Sequence, residues 1–429
     1  MGIVDTLMVG RLGPAAIAAV GMSSAVFTAI AVFGMGLMLG LDALVSQAWG
    51  ARQKAECVRW LHQGAWLAFA SAPLVMALAG LAFASVDWWG LHPDIRTLVA
   101  QYLRVISFSA LPLLLYAAFR RYLQGRHVVR PVMAALISAN LVNAAANWVL
   151  IYGNLGMPAL GVEGSAWATT IARVYMAGFL LFTIRRLHRK DADHPRVPFT
   201  FDTSRIRRLV GLGLPAASQI TLEVGVFAAA TALAGRLDPI AAASNQIALN
   251  VASLAFMVPL GLSSAGAVRV GHAVGSRDAG RAVQAGWTAL GLGVVVMGVI
   301  GVVLYAWPEP MLRAFTTDQR VIETGVTLLA IAAAFQLFDG TQAVATGVLR
   351  GLGDTRTPMI MNVVGHWLFG LPIGYALCFV FGWGVPGLWV GLSIGLVFVA
   401  ITLTAVWVRR TRHLVLPAGA PPPSPPDLL

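Results

Sequence analysis

Gly10-Arg11-Leu12-Gly13-Pro14 returns as Gly235-Arg236-Leu237-Asp238-Pro239, 225 residues further along the chain. The same offset pairs Gly36-Leu37 with Gly261-Leu262, Gly50 with Gly275, Arg52 with Arg277 and Val58 with Val283. Further on, Gly125 to Pro131 echoes Gly351 to Pro358, and Gly161 echoes Gly384. The chain is therefore built twice from one unit, and the residues between matched positions decide what that unit is.

Those residues are apolar. Of the 429 residues, 58% are hydrophobic and only 11% are charged, against about 25% charged in a soluble protein. The apolar residues fall into blocks of about twenty, enough to cross a hydrocarbon core of ~30 Å. Apolar spans run over 1–9 (short), 16–45, 62–84, 97–119, 132–153, 163–184, 208–234, 240–268, 283–307, 323–347, 358–382 and 387–408. The expected fold is an all-α integral membrane protein. Its twelve transmembrane helices form two six-helix lobes related by the repeat.

Basic residues set the orientation, because cytoplasmic loops collect Lys and Arg. Loops after even-numbered spans hold 23 of them and loops after odd-numbered spans hold 5. Both termini are expected in the cytoplasm, and the membrane crossed is expected to be the plasma (bacterial inner) membrane. The expected domains are an amino-terminal lobe over 1–186, a basic cytoplasmic linker over 187–207, a carboxy-terminal lobe over 208–409 and a disordered Pro-rich tail over 410–429. Six spans per repeat put both copies in one orientation, with substrate expected at the repeat interface near the midplane. The seventh span begins near Ile206, so its counterpart would start about twenty residues before Met1, where a span needs about 17–25 apolar residues. The first helix is thus expected to be truncated at its amino terminus.

The net charge of +12 is dealt among short loops with no Lys/Arg stripe interleaved with aromatics, which argues against nucleic acid. Cys57 and Cys378, far apart in sequence, imply neither a disulfide framework nor a metal centre. No His-x-x-x-His on a span and no Gly-x-Ser-x-Gly elbow is present, so a membrane-embedded enzyme is disfavoured. No cofactor is expected.

Four carboxylates lie inside the apolar runs: Asp5, Asp42, Glu223 and Asp339. An intramembrane charge costs roughly 2.5–3.5 kcal/mol on insertion scales, so such residues tend to mark ion or substrate pathways. The bland alternative for Glu223 and Asp339 is a structural ion pair, with Arg104 and Arg173 available near or within spans. Asp42, close to the cytoplasmic end of its span, reads more readily as a helix-terminal polar contact than as a ligand. His366 reads as a satisfied core histidine or as a proton relay. Pro112, Pro259 and Pro372 are kink candidates.

The residues around these acids resemble a known family. Val4-Asp5-Thr6-Leu7-Met8-Val9-Gly10-Arg11-Leu12-Gly13 is similar to the first-helix signature of the MATE (multidrug and toxic compound extrusion) family, in its NorM-like branch. Leu41-Asp42-Ala43-Leu44-Val45-Ser46-Gln47-Ala48-Trp49-Gly50 resembles its second-helix ending, and Met257-Val258-Pro259-Leu260-Gly261-Leu262-Ser263-Ser264 with Val268-Arg269-Val270-Gly271 its eighth-helix signature. Leu349-Arg350-Gly351 and Gly370-Leu371-Pro372-Ile373-Gly374-Tyr375 resemble the tenth and eleventh helices.

The resemblance implies a secondary active antiporter that exports drugs, mostly organic cations, in exchange for Na⁺ or H⁺. It implies cation sites at Asp5 with Asn143, Asn147 and Thr169 in one lobe, and at Glu223 and Asp339 in the other. His366 stands where an aromatic residue is common, and with Asp42 it is a further candidate. Asn143 and Asn147, four apart, share a helix face. They can offer oxygens to a hard cation or act as interhelical glue. Beyond lipid and substrate no partner is expected, and the chain is read as a monomer. The competing reading from the same superfamily is a flippase for lipid-linked oligosaccharides, which would favour an arginine-lined cavity that these spans do not supply.

Overall fold

The structure is a computed structural model that describes residues 2–191, 195, 197–412 and 414. The described residues form helices joined by short turns, in the order α1 (Gly2–Val9), α2 (Pro14–Leu37), α3 (Gly40–Gly50), α4 (Lys54–Ser85), α5 (Pro93–Ser107), α6 (Ala110–Gly125), α7 (Arg130–Tyr152) and α8 (Gly161–Lys190). The second half continues as α9 (Thr203–Ala234), α10 (Pro239–Gly275), α11 (Ala279–Ala306), α12 (Pro308–Arg313), α13 (Gln319–Leu352), α14 (Arg356–Asn362), α15 (Leu371–Tyr375) and α16 (Val385–Arg412). Ten stretches among the described residues are long and apolar enough to cross a membrane, and α5 with α6, bent by 48°, forms an eleventh. The eight-residue α1 stands at the short first span expected over 1–9 and is itself too short to cross.

Helices form here because the bilayer offers backbone groups no partner but each other. Most of the spans carry large apolar residues on their outer faces as well as their inner ones. Leu81, Phe182, Leu254 and Val302 are each about two-thirds exposed, tolerable against lipid and costly against water.

The chain divides into two compact units, one of Met1–Leu41 with Lys54–Thr221 and one of Asp42–Gln53 with Leu222–Leu429. The first is centred on Phe27, Tyr102, Leu103, Leu114, Tyr122 and Leu180, all fully buried. In the second, Phe335 packs on Trp389 with ring centroids 5.8 Å apart, among Leu328, Leu388 and Leu396. A further cluster there surrounds Trp407 with Val344, Val348, Val399 and Leu403.

Three spans differ from straight rods. The span expected over 16–45 breaks between α2 and α3 at Met38–Leu39, where Leu39 N–H donates to Gly36 O at 3.0 Å and Leu41 N–H to Met38 O at 3.1 Å. At this break the Leu37 carbonyl lies against Gly213 of α9 so closely that a Cβ there would overlap it. The α5–α6 bend falls at Phe108–Ser109, just before Pro112. The eleventh span winds through π-helical turns over Val363–Gly370 and Ala376–Val380 on either side of Pro372. By contrast α10 runs unbroken through Pro259.

The described part of the linker is docked on α4. Gln63 Nε2 donates to Thr200 O at 2.8 Å, Asp202 N–H donates back to Gln63 Oε1 at 3.1 Å, and Trp66 stacks on Phe199 at 5.1 Å. Arg205 pairs with Glu56 and with Asp202. The Arg205 backbone N–H, donating to Asp202, holds that carboxyl below its ordinary range. Of the expected tail, residues up to Arg412 continue α16. Residues 192–194 and 196 of the linker, 413 and the tail from 415 on lie outside the described residues.

Candidate functional site

The first unit gathers four of the singled-out side chains at one point. Asp5 on α1 is only 2% exposed. Its Oδ1 accepts from Asn143 Nδ2 at 3.0 Å and from Asn147 Nδ2 at 2.7 Å, and its Oδ2 accepts from Thr169 Oγ1 at 2.8 Å. The two asparagines are fully buried on one face of α7, one turn apart. Thr169 reaches in from α8, and Tyr152 donates to the Met8 carbonyl, fastening α1 to α7. Three neutral donors therefore satisfy one carboxylate, a strong arrangement because hydrogen bonds to an ionised oxygen are roughly twice as strong as neutral ones. The Oδ1 atoms of both asparagines are buried and find no donor among the described residues.

The second unit is built differently. Glu223 on α9 accepts from Gln342 Nε2 of α13 at 3.0 Å and, more weakly, from Asn362 Nδ2 of α14 at 3.5 Å. Asp339, 8% exposed, sits on α13 three residues before Gln342 and therefore on the same face. It is near enough to Glu223 for their charges to interact. Gln342 Oε1 and Asn362 Oδ1 are buried with no donor among the described residues. His366 is fully buried, its Nδ1 is 3.2 Å from the Asn362 carbonyl, and its Nε2 meets no partner among the described residues.

Gln342 and Asn362 were not singled out in the sequence. The signal was present, since Gln342 lies one helical turn from Asp339 and Asn362 one turn from His366. Amides in membrane helices are cheap enough to be common, however, and do not stand out as acids do.

No ion pair among the described residues engages Asp5, Glu223 or Asp339. Arg173, considered as a structural partner for the acids, donates to Ser109 and lies over the Phe27 ring at 4.8 Å. Asp42 stands apart from the other acids: its Oδ2 is 3.4 Å from Arg350 Nε, with Asp42 fully buried and the arginine nearly so. Both cysteines are buried, and neither forms a disulfide among the described residues. The second unit thus offers two carboxylates with amide oxygens, an all-oxygen set that suits a hard cation such as Na⁺ or a proton, and not a soft metal.

The chain matches the family model described as MatE over residues 1–149 and 215–376. It is 37% identical over 423 residues to a probable multidrug resistance protein NorM of Mesorhizobium japonicum, covering 96% of this chain and 90% of that protein. It is 34% identical over 426 residues to a protein of the same description from Brucella suis biovar 1, covering 97% of this chain and 90% of the relative. Among solved structures, the crystal structure of the eukaryotic MATE transporter AtDTX14 superposes with a TM-score of 0.85 over 96% of this chain and 92% of that one, at 20% identity.

Proposed function

Because the chain belongs to the MatE family, we propose that the acids of its second unit, Glu223 and Asp339, couple inward flow of a cation to export of drugs. The chain is a multidrug efflux transporter and a multi-pass membrane protein. It works as a cation-coupled antiporter without a cofactor. The coupling ion is Na⁺ or H⁺, and the cargo is small organic cations for the most part. Lobes over 1–186 and 208–409 alternate access from a plasma (bacterial inner) membrane, with both termini cytoplasmic and the chain acting as a monomer.

The observation that carries this reading is the Glu223–Asp339 face of the second unit. Two acids share the neighbourhood of one amide donor, no arginine among the described residues pairs with either, and two amide oxygens find no donor among those residues. Two buried negative charges without a counter-charge are costly, so a positive species must be taken up. A coupling cation and a cationic drug then compete for the same acids, and loading one releases the other. The energetics suffice with a single ion: 100 mV supplies about 2.3 kcal/mol per charge, and a tenfold drug gradient costs about 1.4 kcal/mol. A pyrophosphate-binding flippase would want an arginine-lined cavity, whereas Arg173, one of the two arginines near or within spans, is engaged by Ser109 and Phe27.

The test loads cells expressing the chain with ethidium and follows efflux under separate Na⁺ and pH jumps. Efflux driven by one of these jumps and abolished by Glu223→Gln with Asp339→Asn is expected. Wild-type efflux that survives the double substitution would refute the coupling role of these acids.

A further inference from the structure

The span that leads from α14 into α15 changes its winding beside Glu223. Over Val363–Gly370 the turns are π-helical, and the Leu371 N–H donates to the His366 carbonyl, five residues back. Turns of this kind are rare inside α-helices and frequently fall at functional sites.

The effect of the winding is visible on two faces of the span. On one face, Asn362 Nδ2 donates to Glu223 Oε2 at 3.5 Å and Trp367 Nε1 donates to the Leu222 carbonyl at 3.0 Å. The two donors are five residues apart, yet they reach adjacent residues of α9. On an α-helix, positions five apart point about 140° away from each other. Bonding from i to i+5 instead brings the fifth residue round over the first. On the other face Gly365 and Gly370, again five apart, both lie against Gly395 of α16. A Cβ on Gly365 would overlap the Gly395 carbonyl, and a Cβ on Gly395 would overlap the Gly365 carbonyl, so the two spans meet backbone to backbone. Two separate contacts therefore follow the same five-residue spacing.

The turn is pinned from inside as well. His366 is fully buried, with Nδ1 3.2 Å from the Asn362 carbonyl. A carbonyl can only accept, so Nδ1 carries the hydrogen and donates it. Trp367 lies beside Gly225 and packs on the cluster of Val226, Ala230 and Leu392. One short stretch of the eleventh span thus holds both the carboxylate of Glu223 and the backbone carbonyl just before it.

We propose that the π turn over Val363–Gly370 positions Glu223, with Trp367 as a positioning residue that fixes the α9 backbone beside the acid while Asn362 engages its carboxylate. Trp367 does not touch the carboxylate and acts on it through the Leu222 carbonyl. Outer partners of this kind set the affinity of a cation site, and losing one typically costs about 10–100-fold. The proposal rests on the reading of Glu223 as a coupling acid.

Two variants take the arrangement apart. Deleting Leu368, which is exposed, shortens the Gly365–Gly370 interval to the four-residue spacing that suits an α-helix and so keeps the contact with α16. Asn362 and Trp367 stay five apart and diverge on the restored α-helix. Trp367→Phe keeps an aromatic ring in the cluster and removes the N–H donor. Both are read on the purified full-length chain in lipid nanodiscs. Mass spectrometry follows the rate at which dicyclohexylcarbodiimide labels Glu223 as Na⁺ and pH are varied separately. The ion concentration at half-maximal change in labelling is expected to move about threefold in Trp367→Phe and about tenfold in the deletion. Labelling of Asp5 and the thermal denaturation of Trp367→Phe should match the wild type. An unchanged midpoint in Trp367→Phe, or a shift that Asp5 shares, overturns the positioning role, and Trp367→Phe decides alone where the deletion does not fold. A wild-type Glu223 labelled at one rate at every Na⁺ concentration and pH defeats the coupling reading instead. The positioning role is then judged on that rate: it stands where Trp367→Phe alters the rate and falls where it does not.

Discussion

Asp5 and the Glu223–Asp339 pair are both acids at membrane depth, but their surroundings ask for different things. Asp5 receives three neutral donors from two helices and needs no cation to be satisfied. Glu223 receives one firm amide donor and one long one, with a second acid on the neighbouring face. The first arrangement holds a carboxylate in place, and the second accumulates negative charge that an incoming cation relieves. Equivalent burial therefore does not imply equivalent work.

Substitutions can break this comparison. Replacing Glu223 by Gln and Asp339 by Asn together should have the largest effect, lowering efflux roughly hundredfold and flattening its dependence on the coupling ion, as expected when buried charges that bind a cation are removed. Initial rates of ethidium efflux at several Na⁺ concentrations and pH values check this.

Asp5→Asn comes next and should act mainly on stability. The new amide turns at least one donor toward another donor, at a cost of about 1–3 kcal/mol. Thermal denaturation of the purified protein should show the loss, while the dependence of residual efflux on the coupling ion persists.

Gln342→Leu removes both the firm donor to Glu223 and a free amide oxygen. It should weaken the apparent affinity for the coupling ion about tenfold, with Asn362→Leu nearer threefold because its bond to Glu223 is long. Thr169→Val should be the mildest, costing about 0.5–1.5 kcal/mol of stability for one lost hydrogen bond and leaving the ion dependence intact.

The spans and the acids were legible in the sequence for the same reason. Hydrocarbon thickness dictates about twenty apolar residues, and a charge inside such a run is too expensive to be idle decoration. What could not be read depends on partners distant in the chain. The break at Met38–Leu39 falls where α9 approaches through Gly213, a neighbour far away in the sequence. The π-helical turns around Pro372 arise in a span that the sequence marked only with a proline. Gln342 and Asn362 escaped notice because an amide announces nothing until its neighbour is known to be an acid. Asp42, by contrast, reads from the sequence as a polar contact near a helix end, but its partner Arg350 lies some three hundred residues away and had no local signal.

The claim at the centre of this account is tested by drug binding to the purified chain while the coupling ion is titrated, Na⁺ at fixed pH and protons at fixed Na⁺. The wild type and Asp5→Asn should both lose drug affinity as the ion is added, whereas the chain carrying Glu223→Gln and Asp339→Asn should bind with no such dependence. Competition that survives the loss of both second-unit acids, or that vanishes with Asp5 alone, would contradict it.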